Sequence, residues 1–318
     1  MVTPEHKPAC ACAVDARVAA ARAICRNHVR IELLLPELPP SQPGQFLQLR
    51  CGAEGSESGH ILEWPTGGFP SLGGSDEWHR RGPFLRRPFS IADQWQDADG
   101  RTHVVIISRN VGPGTARLER LAPGDALNIT GPLGHGFEIP SDSVPMVLVG
   151  GGVGIPPLLY LARRLNDLGY RDVTLILGAA TRDLLPVRLV RQPASDGQAL
   201  PCVELPGDAR FEAIVTTDDG SLGMPGLVTD GLRQWHSRRR DSGMVFACGP
   251  AAMLKAVAEL TRELKLDCQL SIERNMACGL GTCLSCVTRL RDETRPEGWR
   301  WALACSEGPV FQREQLMT

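Results

Sequence analysis

The chain lacks an excess of charge of either sign, carrying a formal net charge of -2 over 318 residues. So small a balance creates no field that would draw it to nucleic acid or to an anionic membrane surface, and neither is expected as a partner. It lacks any apolar run of about eighteen residues, which excludes a membrane-spanning helix of ordinary length. The opening stretch Met1-Val2-Thr3-Pro4-Glu5-His6-Lys7 lacks the basic-then-apolar order of a secretory signal, so a cytoplasmic location is expected. An even, framework-like set of cysteines is missing too. There are eleven, and in a cytosolic chain metal binding plus scattered free thiols explains them better than disulfides. At this length two or three domains and a sizeable core are expected.

What is present centres on Cys278, Cys283 and Cys286, spaced Cys-x4-Cys-x2-Cys, with Cys305 following. This is the ligand spacing of a plant-type 2Fe-2S cluster. A loop carrying three thiolates has to wrap a rhombic cluster while its backbone N–H groups point at sulfur. Gly279 and Gly281 suit that, because glycine reaches positive φ and allows close approach. A zinc ribbon would favour two matched Cys-x2-Cys pairs, and no second pair exists here. Cys10 and Cys12 sit in a Pro- and Ala-rich leader without further ligands and read as a mobile tail. Cys25, Cys51, Cys202 and Cys268 read as small core or surface residues.

In chain order, Ala16-Val18-Ala20 and Val29 to Leu35 read as two strands, Pro36 to Gly44 as a loop, and Pro43-Gly44 as a turn into the alternating strand Phe46 to Arg50. Short strands at such spacing suggest a β-barrel. Cys51 to Leu85 interrupts it as a long excursion that Trp64, Phe69 and Trp78 pin into a local mini-core or against a partner. Then come Arg87-Pro88-Phe89-Ser90, the strand Thr102 to Arg109, and Gly112-Pro113-Gly114-Thr115 running into a helix. A cation on a strand beside a glycine turn and a helix start is how a protein grips a diphosphate, since the guanidinium gives bidentate donors and the helix end gives N–H groups. Together these favour a flavin-dinucleotide site. His135, among glycines, reads as a polar turn residue.

Val144 to Val149 is a continuous apolar run of the kind buried in parallel sheets. Gly150-Gly151-Gly152-Val153-Gly154 then leads into a helix from Leu158 to Leu168, which makes a phosphate cradle without the Gly-x-Gly-x-x-Gly fingerprint. Further strands at Val173 to Gly178, Ala213 to Thr217 and Met244 to Cys248, alternating with helices, give a doubly wound sheet. Cys248, followed by Gly249 and Pro250, lies at a strand's carboxyl end, where it is either a small buried residue or a wall beside the nicotinamide and flavin rings. Arg182 either meets a ribose 2′-phosphate or is a solvated arginine at a helix start.

Three sites in this order resemble the electron-transfer subunits of NAD-dependent, class 1B dihydroorotate dehydrogenases, within the ferredoxin-reductase superfamily. Arg87-Pro88-Phe89-Ser90, the strand end Ile107-Ser108-Arg109 and Gly112-Pro113-Gly114-Thr115 look like that family's flavin elements. Gly131 to Phe137 looks like its Gly-Pro-Leu-Gly-Asn-Gly-Phe, with His135 for asparagine. Gly150 to Pro157 resembles its nucleotide turn, Thr217 to Asp230 a segment frequent in it, and Cys248-Gly249-Pro250 its Cys-Gly-Pro-x-x-Met-Leu element. Glu273 to Cys286 and Cys305 to Phe311 resemble its cluster loop and closing segment.

The resemblance implies a leader over 1–14, an FAD-binding β-barrel domain over 15–140 with the 51–85 insertion, an NAD-binding α/β domain over 141–266 and a small C-terminal 2Fe-2S domain over 267–318. It implies FAD held by Arg87, Pro88, Phe89, Ser90, Ile107, Ser108, Arg109, Gly114 and Thr115. NAD is implied at Gly150, Gly151, Gly152, Gly154, Cys248, Gly249 and Pro250, and the cluster on Cys278, Cys283, Cys286 and Cys305. A separate FMN-containing catalytic subunit would oxidise dihydroorotate, so no acid-base residue is assigned here, and a heterotetramer of two catalytic and two electron-transfer subunits is expected. Another ferredoxin-type reductase subunit, of a bifurcating, sulfide-oxidising or hydrogenase-associated complex, is the alternative. A binding protein that has lost its flavin is a third reading, opposed by the intact Arg87, Ser90, Gly114 and Thr115.

Overall fold

The computed structural model describes residues 12–52, 85–142, 144–205, 209–239 and 242–317. Its N-terminal unit contains β1 (Cys12–Cys25), β2 (His28–Leu35), β3 (Phe46–Leu49), β4 (Arg87–Ser90), β5 (Asp93–Gln96), β6 (Thr102–Arg109), the short helix α1 (Pro113–Glu119) and β7 (Ala126–Leu133). The strands run β4-β3-β7-β1-β2-β6-β5, every neighbouring pair antiparallel. Strand β4 comes back against β6, which rolls the sheet into a barrel. Alternation makes this work: Val29, Ile31, Leu33 and Leu35 of β2 are buried, and Arg30, Glu32 and Leu34 between them are only half-buried. Strand β1 opens at Cys12, paired with Gly131, so residues 12–14 of the expected leader are part of the barrel. Cys10 and the expected mini-core of Trp64, Phe69 and Trp78 lie outside the described residues.

The second unit is an α/β sheet. It contains β8 (Met146–Gly151), α2 (Ile155–Asp167), β9 (Val173–Ala179), β10 (Arg188–Leu189), β11 (Leu200–Leu205), β12 (Ala209–Thr217), β13 (Met224–Pro225), α3 (Val228–Arg239), β14 (Met244–Cys248), α4 (Ala251–Glu263) and β15 (Asp267–Ser271). Strands β12-β9-β8-β14-β15 are parallel neighbours. Every residue of β8, β9 and β14 is buried, as a sheet covered on both faces requires. The strand order reverses at β8, which opens a crevice at the carboxyl ends of β8 and β14, where ligands of such sheets bind.

The cysteine loop hangs from the edge of this same sheet. After it come the hairpin β16 (Val287–Arg291) and β17 (Trp299–Leu303), and then β18 (Val310–Gln312), which pairs antiparallel with β15. The segment 267–318 therefore shares its sheet with the unit before it.

Hydrogen bonds from α2 help to fix the barrel on the sheet. From α2, Arg163 donates to the Asp93 carboxylate at 2.6 Å and to the Gln94 carbonyl at 3.0 Å, and the Tyr160 hydroxyl donates to the Ser41 carbonyl at 2.9 Å. Burial pushes the Asp93 carboxyl above its ordinary range, with Arg163 pulling the other way. His135 donates its backbone N–H to the Gly308 carbonyl at 2.6 Å, and its ring Nδ1 lies 3.2 Å from the Glu307 carbonyl. The turn residue is thus a stitch between the barrel and the closing segment. A small separate core joins Phe46 and Leu133 of the barrel to Met276, Cys286, Ala304 and Cys305.

Candidate functional site: a cleft walled by barrel, sheet and cysteine loop

A cleft of about 1100 Å³ lies where the three parts meet. That exceeds the usual ~300–1,000 Å³ of a small-ligand pocket and leaves room for a dinucleotide. Its barrel wall holds Arg87, Pro88, Phe89 and Ser90 from β4, Ile107 and Arg109 from β6, and Gly114 and Thr115 from α1. Ser108, between two cleft-facing residues, points to the other face of β6 by the period-two rule; it is buried and its hydroxyl has no partner. Arg109 Nε is a buried donor without a partner. With Arg87 it supplies the cationic side of the cleft, which fits an anionic diphosphate.

The helix start contributes less than its sequence suggests. The Thr115 hydroxyl oxygen accepts from the amides of Val111 at 2.9 Å and Gly112 at 3.1 Å, so those two donors are already used.

On the sheet side Cys248, Val153, Pro156 and Ala251 reach the cleft, whereas Gly150, Gly151, Gly152, Gly154, Gly249 and Pro250 do not line it. Packing explains the glycines. A Cβ on Gly154 would stand 2.2 Å from the Cys248 carbonyl oxygen, and one on Gly151 would stand 2.5 Å from Met253 Sδ. They let the end of β8 close on α4, and the turn after it close on the end of β14, beneath the cleft. Cys248 is buried at the floor of the cleft, and burial pushes its thiol up to about 12.

The loop over 278–305 is organised around sulfur. Backbone N–H groups of Leu280 and Cys283 donate to Cys278 Sγ at 3.3 and 3.4 Å, Gly281 to Cys305 Sγ at 3.2 Å, and Cys305 to Cys286 Sγ at 3.4 Å. Gly279 and Gly281 adopt φ of 74° and 84°, which turn those amides inward. Hydrogen bonds with Ser285, and then with Cys278, pull the Cys283 thiol down to about 6. Among the described residues no three Cys, His, Asp or Glu side chains converge as ligands of one ion would. Amides aimed at three of the four thiols fit a group bearing anionic sulfur.

The third wall came from residues given no cleft role on sequence grounds. Glu273, Arg274, Asn275 and Met276 line the cleft just before the first loop cysteine, as does Phe46 of β3. Burial holds the Glu273 carboxyl above its ordinary range. Adjacency to the cysteines was the one available signal. A second cleft, of about 760 Å³, lies at the carboxyl end of β9 and is lined by Arg26, Arg182, Asp183, Asp219 and Ser221, among others. There Arg182 N–H donates to Ser221 Oγ at 2.9 Å, and Arg26 pairs with Asp183 at 2.7 Å.

Comparison with known proteins agrees with this geometry. Residues 273–317 match the family model of the iron-sulfur cluster binding domain of dihydroorotate dehydrogenase B. The electron transfer subunit of dihydroorotate dehydrogenase B (NAD(+)) from Desulforamulus reducens is 31% identical over 304 residues, spanning 95% of this chain and 97% of that protein. This chain belongs to that family. The Caldanaerobacter subterraneus member is 34% identical over 234 residues, 74% of this chain and 81% of its own. Among solved structures, the NADH-dependent reduced ferredoxin-NADP oxidoreductase superposes with a TM-score of 0.69 at 25% identity, over 95% of this chain and 89% of that one. A cytochrome P450 reductase from Amycolatopsis shares the fold, with a TM-score of 0.52 at 23% identity, over 80% of this chain and 67% of that one. The expected ferredoxin-reductase-like fold, a barrel followed by an α/β sheet, is the one observed. Among the described residues no helix is long and apolar enough to cross a membrane.

Proposed function

We propose that this chain is the electron-transfer subunit of an NAD-dependent dihydroorotate dehydrogenase in pyrimidine biosynthesis. Its partner is an FMN-containing catalytic subunit that oxidises dihydroorotate to orotate, assembled two and two in the cytoplasm. One observation carries the reading. The wall of the large cleft is continuous with a loop whose amides are aimed at cysteine sulfur, so a flavin site and a cluster site share residues 273–276.

When bound, FAD exchanges hydride with a nicotinamide and single electrons with a 2Fe-2S cluster. Cys278, Cys283, Cys286 and Cys305 are the cluster ligands. Arg87 and Arg109 hold the flavin diphosphate, and Phe89 and Ser90 line the cleft beside them. Cys248, neutral and largely buried, walls the side where the nicotinamide enters, and the glycine turn at the end of β8 lets the sheet close beneath it. No residue of this chain moves a proton on the pyrimidine. Hydrogen bonds within the Asp219–Ser221 turn hold Asp219 ionised, first among them that from the Ser221 hydroxyl. Asp219 lines the same cleft as Arg182, and a carboxylate there disfavours a 2′-phosphate, which supports NAD over NADP.

The partner docks where the loop reaches the surface. Cys283 is exposed, and Leu280, Leu284 and Trp301 are 56, 61 and 57% exposed. Leu284 adopts φ 58°, a conformation that costs a non-glycine residue about 1–2 kcal/mol. Strain of this kind persists where it serves a site, here by holding an apolar side chain outward between two ligands.

The test is anaerobic absorbance of the protein co-purified with its FMN subunit, following NADH after dihydroorotate is added. NADH formation that disappears in Cys283→Ser is expected. Full cofactor loading without NADH overturns the pyrimidine assignment. It would favour a reductase of another iron-sulfur flavoprotein complex, a reading supported by the overlap with the NADH-dependent ferredoxin-NADP oxidoreductase.

A further inference from the structure

Gln48 is a buried amide without a partner. Its relative exposure is 0%, and neither Nε2 nor Oε1 has a hydrogen bond, although its own carbonyl accepts from Arg86 at 3.2 Å. Buried amides are nearly always paired, because desolvating one without compensation is costly. An orphan of this kind calls for a partner, and what lies next to it indicates which.

The direction it faces is set by the pleat of β3. Leu47 and Leu49 enter the barrel core, whereas Phe46, two residues from Gln48 and on its face, packs with Cys286 and Cys305. Gln48 lies against the loop itself. A Cβ on Gly279 would stand 2.7 Å from Gln48 Cγ and 2.9 Å from Nε2, with Leu133 Cδ1 as the third atom at 3.1 Å. Glycine between Cys278 and Cys283 thus does two things: it gives the loop its positive φ, and it lets a barrel amide reach the backbone of the loop. On the barrel side Gln48 is in register with Pro88 of the β4 strand that lines the cleft.

We infer that the Gln48 side-chain amide donates a hydrogen bond to a cluster sulfur near Gly279, and that this residue of the flavin barrel tunes the cluster's reduction potential. The inference rests on the function proposed above. The loop's own amides serve Cys278, Cys286 and Cys305 from within the segment, whereas Gln48 supplies a donor from a different structural unit. A donor to anionic sulfur stabilises the reduced, more negative cluster, so it raises the potential. Gln48 is a positioning and tuning residue and not a catalytic one.

The experiment uses the cofactor-loaded complex reduced with dithionite. In wild-type protein carrying 15N only in glutamine side chains, hyperfine spectroscopy of the reduced cluster is expected to show a 15N coupling, together with an exchangeable proton lost in D2O. In Gln48→Met, close in length but without a donor, the coupling disappears and the cluster's midpoint, titrated by its paramagnetic signal, moves to more negative potential while the flavin midpoint stays in place. A 2Fe-2S signal with no glutamine coupling in the wild type, or an unmoved cluster midpoint in Gln48→Met, overturns this inference and leaves the parent reading standing. Absence of any 2Fe-2S signal overturns both. The wild-type measurement decides the matter even if Gln48→Met does not fold.

Discussion

Replacing Gly154 with alanine tests whether the crevice depends on the turn after β8 touching the end of β14 through backbone. The three atoms that the new Cβ meets are the Cys248 carbonyl oxygen at 2.2 Å, the Cys248 carbonyl carbon at 2.3 Å and the Gly249 nitrogen at 2.4 Å. All belong to the main chain, so no side chain can swing away, and the turn before α2 must separate from the end of β14. Overpacking that side chains can absorb costs about 1–3 kcal/mol, so a clash of backbone with backbone is expected at or above ~3 kcal/mol. Gly152→Ala is the internal control. Gly152 has φ 53° and open space around it, so only the left-handed strain of roughly 1–2 kcal/mol applies. With about 2–4 °C per kcal/mol for a unit of this size, Gly154→Ala is expected to melt roughly 6–12 °C lower. By the same scale, Gly152→Ala falls by about 2–8 °C. Thermal unfolding followed by circular dichroism separates them, and NADH-dependent dye reduction should fall with the first far more than with the second. Gly154→Ala melting within about 2 °C of wild type would refute the close-contact argument.

Three further outcomes are expected. Asp93→Ala strands Arg163 in the joint between α2 and the barrel, and breaking such a pair costs about 3–5 kcal/mol in urea unfolding; a loss below about 1 kcal/mol would show the joint to be solvated. Burial pushes both Cys248 and Cys268 up to about 12. Their thiols are therefore neutral and poor nucleophiles at pH 8, and iodoacetamide with mass spectrometry should leave both unmodified in the native protein and modify them after denaturation. Trp301→Ala should weaken binding of the FMN subunit by about 2 kcal/mol, close to thirtyfold in Kd, with NADH-dependent dye reduction unchanged; equal affinity by calorimetry would move the docking face elsewhere.

Much of this was legible because the informative residues are local. Three cysteines and two glycines fall within nine positions of the loop, so spacing alone shows which thiols can gather and how the backbone must turn. The parallel strands were legible for the same reason: β8, β9 and β14 are buried on both faces, and each is an apolar run, broken only by Thr174 in β9. What sequence could not show arises where distant segments meet. Glu273 and Arg274 line the cleft because β15 delivers them beside β14, and nothing in a run of Glu-Arg-Asn-Met announces that. Thr115 looked like part of a phosphate turn, yet its hydroxyl occupies two of the amides that such a turn would offer. His135 departs from the family's asparagine, and its part in joining barrel to tail depends on Gly308, far along the chain.

The cysteine loop leaves the sheet at β15 and re-enters it at β18, the strand hydrogen-bonded beside it. A module tied at both ends to neighbouring strands cannot survive when that edge peels, nor can the edge form without bringing the loop's two ends together. Colour from the iron-sulfur group should therefore bleach in the same transition that dissolves the nucleotide-binding sheet. The protein carries in its visible spectrum a gauge of its own cooperative unfolding.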